Sequence, residues 1–337
     1  MVGLGILGIG RIGRIHLQHL VRDLDDVAVV AAMNPSEPGR DFARRHGVPF
    51  VTGDAAAVIG HPDVDAVLVC TPTHVHADHV EAAAAAGKAV FCEKPIDLSL
   101  ERVRRTLAAV EAAGVPLMLA FNQRMDPSFA AVKAAIDDGR IGTLRSIHII
   151  SRDPAPPPIA YIRTSGGLFL DMGIHDFDMA RHLAGAEAVE VYARGAVLVD
   201  PAIGEAGDID TAYVTIGFAN GVTAMVENCR QSAYGYDQRL EAFGSAGMVR
   251  ADNPLKTTTL LSDARGLHGG RQLDFFVDRY AESYRRELRA FVDALQRGVP
   301  MPVTGHDGLE AMRIALAAER SHREGRPVRV AEVDAGH

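Results

Sequence analysis

The sequence predicts an α/β domain with a doubly wound parallel sheet, followed by an α+β domain built on a large, mostly antiparallel open sheet. Three observations lead to this. Apolar runs of strand length alternate with helical patterns up to Phe121. A glycine turn joins the first strand to the first helix. Beyond Phe121 the pattern changes to strands at close intervals, with Asn220-Gly221 marking a hairpin. The 337 residues suffice for two cores, and the expected domains are 1–121 and 122–337.

Composition narrows the function classes. Hydrophobic residues at 47% and charged residues at 23% are ordinary for a globular chain and argue against long disorder. A net charge of −8 without a Lys/Arg run makes nucleic acid an unsuitable partner. Cys70, Cys92 and Cys229 are far apart and form no disulfide ladder, which fits reduced thiols in the cytoplasm. The chain begins with a strand, without a basic segment before an apolar core, and no apolar window is long enough to span a bilayer. A soluble cytoplasmic protein acting on a small molecule is expected.

Taken in order, Val2 to Leu7 is an apolar strand that runs into Gly8-Ile9-Gly10-Arg11-Ile12-Gly13 and then a helical pattern. Gly8 permits the tight turn, Gly10 lets backbone approach a pyrophosphate, and Gly13 lets helix pack on strand. Arg11 and Ile12 open the helix whose free N–H groups would face the phosphates. His16 and His19 on this helix read as packing or surface residues. The next strand, Val27 to Met33, ends at Asn34, about where an acidic residue would hold ribose hydroxyls. Without that carboxylate a 2′-phosphate is not repelled, and Ser36 or Arg40 could reach it, so NAD and NADP are both open.

Asp65 to Cys70 is a further buried strand, followed by Thr71-Pro72 and then His74, His76 and His79 at the start of an alanine-rich helix. No acidic or cysteine partner completes a metal set nearby, so Thr71, Pro72 and His76 are expected beside a cofactor and no metal is expected. Lys88 to Cys92 is the next strand and ends in Glu93-Lys94-Pro95. A lysine at the C-terminal end of a parallel strand sits where open α/β sheets bind ligands, and it can stabilise charge developing on oxygen. Pro95 restricts Lys94 to extended backbone and raises the chance of a cis peptide. A capped helix, Ser99 to Ala113, and the strand Val115 to Ala120 complete the domain.

In the second half a helix from Ser128 to Asp138 precedes strands at 144–151, 189–199, 212–218, 223–229, 239–243, 248–251 and 257–261, with helices at 277–296 and 308–322. An uncovered face of such a sheet would have to be buried by another subunit. Asp153-Pro154-Ala155-Pro156-Pro157-Pro158 reads as a loop near a site. The segment 165–183 carries Asp171, His175, Asp178 and His182 within an arc of roughly 60° on an otherwise apolar helix. A carboxylate one turn from an imidazole can orient it and tune it as a general base. The same spacing also suits a metal. Tyr234 and Tyr236 offer apolar planes with polar tips, suited to a polyhydroxylated ring.

With the glycine motif 8–13, Glu93-Lys94-Pro95, and Gly166-Gly167 leading to Asp171 and His175 all in order, the chain resembles the glucose-fructose oxidoreductase/inositol dehydrogenase/rhizopine catabolism (Gfo/Idh/MocA) family. The segments 151–158, 169–181 and 234–239 look like its inositol 2-dehydrogenase branch. The resemblance implies a Rossmann domain, a C-terminal sheet domain that assembles dimers or, usually, tetramers, and a catalytic triad at Lys94, Asp171 and His175. It also implies substrate contacts at Asp178, Tyr234 and Arg124, while Asp153 and Gly173 differ from some inositol enzymes and Asn34 replaces the acidic residue of NAD-dependent members. Asp153, with Lys94, Asp171 and His175, is still counted among the candidate substrate contacts. The implied reaction is NAD(P)-dependent oxidation of a ring secondary alcohol, myo-inositol foremost. Scyllo-inositol and pyranoses are alternatives, and a non-catalytic nucleotide sensor or a metal-dependent isomerase would be of another class.

Overall fold

The computed structural model describes residues 1–334. Two compact units form, one from Met1–Met125 with Glu282–Leu309 and the other from Asp126–Ala281 with the chain from Glu310 onward. The division is therefore discontinuous, where the sequence pattern alone places a single cut near Phe121. A helix from far down the chain joins the first unit because its apolar stripe, Leu288, Phe291 and Val292, is fully buried there, with Phe291 edge-on to Phe91 at 5.5 Å. A helical period says that a helix has a buried face, not which sheet covers it.

The first unit runs β1 (Val2–Leu7), α1 (Arg11–Asp23), β2 (Val27–Met33), α2 (Glu37–Arg45), β3 (Phe50–Thr52), α3 (Ala55–Ile59), β4 (Ala66–Val69), α4 (His76–Ala85), β5 (Ala89–Cys92), α5 (Leu100–Ala113) and β6 (Leu117–Leu119). Its six strands are all parallel, in the order β3-β2-β1-β4-β5-β6. Every residue of β4 and β5 is buried, as continuous apolar runs in a sheet covered on both faces should be. Strand order reverses between β1 and β4. Ligands of doubly wound sheets bind outside the carboxyl ends of strands at such a point, and Gly8 and Thr71 both lie there.

The chain continues through α6 (Pro127–Asp137), β7 (Leu144–Arg152), α7 (Ile159–Ser165), α8 (Ile174–Ala184), β8 (Ala188–Ala196), α9 (Pro201–Glu205), β9 (Thr211–Phe218), β10 (Thr223–Cys229), β11 (Asp237–Gly244) and β12 (Met248–Ala251). Then come a hairpin, β13 (Leu260–Asp263) and β14 (Gly266–Gly269), followed by α10 (Phe276–Arg279), α11 (Ala281–Arg297), α12 (Gly305–Glu324) and β15 (Val328–Arg329). Seven strands form the second sheet in the order β12-β11-β7-β10-β9-β8-β15. All its neighbours are antiparallel except β7 and β10. Helices α6 and α8 pack on it, against buried Ile147, Ile149, Val226 and Leu240. Alternate residues point the other way, and Tyr213, Met225 and Phe243 are 53%, 49% and 45% exposed. Among the described residues no helix is long and apolar enough to cross a membrane.

Two expected helices are modified. The one over 277–296 breaks at Tyr280 into α10 and α11. The one carrying Asp171 begins with a π-helical turn, Phe169–Gly173, before α8 takes over at Ile174. Such a turn winds more residues per revolution, so the roughly 60° arc calculated for a regular helix does not hold. Asp171, His175 and His182 remain partly exposed, whereas Asp178 is buried at 1%.

Candidate active site

In the first unit the glycine turn has the features that a dinucleotide phosphate requires. Gly8 has φ of +94°, and a Cβ there would lie 2.6 Å from the Cys70 carbonyl oxygen. Gly10 meets nothing within 4 Å and precedes Arg11 and Ile12, whose helix has no side-chain cap on its first N–H groups. Open space beside uncapped donors fits a pyrophosphate.

Asn34, Ser36 and Arg40 are brought together at the end of β2. The Asn34 Oδ1 accepts from the Ile9 N–H at 2.9 Å, and its Nδ2 donates to the Ser36 hydroxyl at 2.9 Å. Asn34 thus ties the glycine turn to the next loop. The Arg40 guanidinium donates to the Asn34 carbonyl at 3.0 Å, to the Pro35 carbonyl at 2.7 Å and to Glu37 at 2.7 Å. His76 is buried and bridges two turns, with Nδ1 2.8 Å from the Pro95 carbonyl and Nε2 2.6 Å from the Thr71 carbonyl. Its neighbour His74 is exposed on the turn before α4. The Lys94–Pro95 peptide is cis, and the Glu93 N–H extends the β4–β5 ladder to the Val69 carbonyl. Arg124, buried in the same unit, pairs with Asp307 at 3.0 Å.

In the second unit Asp171 is clamped from two sides. Its Oδ1 accepts from the Tyr161 hydroxyl at 2.7 Å and its Oδ2 from Arg230 Nη1 at 3.2 Å. Arg230 is 1% exposed and also reaches Asp208 at 3.4 Å, while Asp208 accepts from the Leu168 N–H at 3.0 Å. One cation therefore holds two carboxylates and fixes the π-helical turn from which Asp171 projects.

On the buried face of α8, Asp176 accepts from Asn228 at 2.6 Å and from Gln238 at 2.8 Å. Burial pushes its carboxyl from 3.8 up to about 7, with the Asp153 charge adding to the shift and the two amide donors opposing it. Tyr234 is 47% exposed and donates its hydroxyl to Asp237 at 2.7 Å. Burial alone would raise the Asp237 carboxyl, but Arg239, Tyr234 and Asn253 hold it below its ordinary value.

Comparison with known proteins agrees with this geometry. The family model described as "Oxidoreductase family, NAD-binding Rossmann fold" matches residues 2–121, and the "GFO/IDH/MocA C-terminal domain" matches residues 129–250. The chain belongs to the Gfo/Idh/MocA oxidoreductase family. It is 46% identical to a myo-inositol 2-dehydrogenase of Thermotoga maritima, over 98% of this chain and 99% of that protein. An inositol 2-dehydrogenase of Rhizobium meliloti is also 46% identical, over 98% and 99% of the two chains. The crystal structure of scyllo-inositol dehydrogenase from Lactobacillus casei with bound NAD(H) and scyllo-inositol superposes with a TM-score of 0.91 at 31% identity, covering 98% of this chain and 99% of that one.

For this family member, several polar partners lie outside the residues that the sequence pattern singles out. Tyr161, Asp208 and Asn228 each make one or two specific hydrogen bonds from positions with no periodic signal, and Gln238 lies within the segment 234–239 but carries no role there. Arg230 had one signal available: it continues the alternation of buried Ala224, Val226 and Asn228 along β10, and a charge on that inward face needs a buried counter-charge. Asp176 was hidden by its own neighbours, since His175 and Asp178 drew the helical arc away from it.

Proposed function

We propose that this protein is an NAD-dependent dehydrogenase that oxidises a ring secondary alcohol of a cyclic polyol, with myo-inositol at C2 as its substrate. The observation that carries the reading is the clamp on Asp171, one turn before His175, in a chain of this family. His175 removes the hydroxyl proton. Asp171, its charge held by Arg230 and Tyr161, orients His175 and favours the imidazolium that forms. Lys94 donates a hydrogen bond to the same oxygen and stabilises its developing negative charge. Arg124, Asp153, Asp178 and Tyr234 are assigned to the remaining ring hydroxyls. When bound, NAD supplies the hydride acceptor.

NAD is proposed over NADP because Arg40 is committed to Glu37 and to two backbone carbonyls. A 2′-phosphate would have to displace that carboxylate. Gly8, Gly10, Arg11, Ile12 and Gly13 are assigned to the pyrophosphate, Asn34 and Ser36 to the ribose, and Thr71, Pro72, His76 and Glu93 to the nicotinamide end.

Scyllo-inositol is a second reading, supported by the Lactobacillus casei complex. We further propose that a second copy of the chain covers the outward sheet face bearing Tyr213, Met225 and Phe243. The test of function is absorbance of reduced cofactor with myo-inositol, scyllo-inositol and several pyranoses, each with NAD and with NADP. The reading expects the highest kcat/KM for myo-inositol with NAD. Activity confined to a pyranose would move the substrate, and inertness toward every polyol would reject the assignment.

A further inference from the structure

Inside the first unit, three ionisable side chains meet that the proposed reaction does not explain. His16 of α1 is fully buried, and its Nε2 lies 2.7 Å from Oε1 of Glu93. The rings of Phe91 and Tyr284 stand edge-on to His16 at 5.4 and 5.7 Å and hold its plane. Glu287 of α11 is also fully buried, and neither of its carboxyl oxygens has a hydrogen-bond partner. One nitrogen or oxygen from each of the three lies within 4.8 Å of the other two. A torsional adjustment or one bridging water spans such a separation.

An ionised Glu287 would be untenable here. It would have given up its hydration for no donor, and it would face a second carboxylate inside the core, at a cost of several kcal/mol. A neutral acid avoids both penalties and gains a use for its O–H, because Glu93 is an acceptor at the right place. We propose that Glu287 is held as a protonated carboxylic acid, sharing its proton with the Glu93 carboxylate to which His16 also donates. The chain Glu287–Glu93–His16 then anchors the residue immediately before Lys94.

Glu287 and His16 are accordingly positioning residues for the Lys94 ammonium, and this role rests on the function given to Lys94 above. The other titratable groups facing the trio are Cys70 after β4 and Cys92 of β5, with Tyr284 beside His16. Burial pushes both thiols well up, so neither supplies a charge at neutral pH. Burial first, and the Glu93 charge second, push the Glu287 carboxyl well up too.

Infrared difference spectroscopy between the wild-type protein and Glu287→Gln reads the proton directly. At about pH 8 an ordinary carboxyl is ionised, and Asp176, raised only to about 7, is mostly so. The expected result is the carbonyl stretch of a buried carboxylic acid in the wild type that Glu287→Gln removes. A folded wild type without that band overturns the proposal. So does one divalent metal ion per chain held by the trio, since Glu287 would then be an ionised ligand.

Kinetics supply the second reading. The Gln amide donates as the acid does, so Glu287→Gln should keep kcat close to wild type. Glu287→Met has similar size but no donor, and kcat should fall about 100-fold, the scale of a slightly misplaced catalytic group, with cofactor affinity retained. Equal losses in Gln and Met variants would overturn the positioning role. If the Met variant does not fold, the infrared comparison still decides. The band requires no turnover, so a protein inert toward polyols that shows it would refute the dehydrogenase reading and leave the protonated pair standing.

Discussion

At the scale of single residues, His175 and Arg230 make separable predictions. His175→Ala removes the proposed general base and should lower kcat by about a thousandfold, with the dissociation constant for NAD almost unchanged. Comparable losses in both quantities would show that His175 has a structural role instead. Arg230→Met strands the carboxylates of Asp171 and Asp208, whose side chains are only 13% and 11% exposed. Loss of one partner from a buried pair is costly, and urea unfolding should register about 3 kcal/mol of destabilisation. Lys94, Asp171 and His175 stand out as candidates in the sequence because their residue types and order are distinctive. The partners of Asp171 do not stand out: Arg230 is 59 positions away, and Tyr161 lies on a separate short helix, so no single period links either to Asp171.

Among the elements, α8 and the turn before it show how far periodicity reaches. An apolar helix with a polar edge was foreseeable from Leu168 to Leu183, and the buried Ile174, Phe177 and Leu183 agree. The π-helical turn was not foreseeable, because it depends on contacts that Asp171 and Leu168 make with distant Arg230 and Asp208. The amide cradle of Asn228 and Gln238 fixes the same helix through Asp176. Since the folded-state value of Asp176 is raised, its contribution to stability is fully present below 3.8 and is lost as pH rises through about 7. Asp176→Asn keeps the size and removes the titration, while giving up one of the two accepted hydrogen bonds. Its melting temperature should therefore vary less than that of wild type across this window, measured by calorimetry in a pH series. An unchanged slope would show that Asp176 is ionised throughout.

On the level of the whole molecule, alternation of strand and helix gave the parallel sheet, and closely spaced strands gave the second sheet. The return of α11 to the first unit escaped, because strand and helix patterns carry no partner information beyond the local period. The exposed row of Tyr213, Met225 and Phe243 predicts association through the second sheet, and Tyr213→Lys combined with Met225→Lys should shift sedimentation toward the monomer. An oligomer unaffected by two charges on that face would place the interface elsewhere. The central claim, that this chain transfers hydride from a ring carbinol to NAD, is tested most directly with myo-inositol deuterated at C2. The account predicts that the deuterium appears in the reduced cofactor as the ring ketone forms, in equal amounts. Ketone formation with the label released to water, or no labelled reduced cofactor from this substrate, would contradict it.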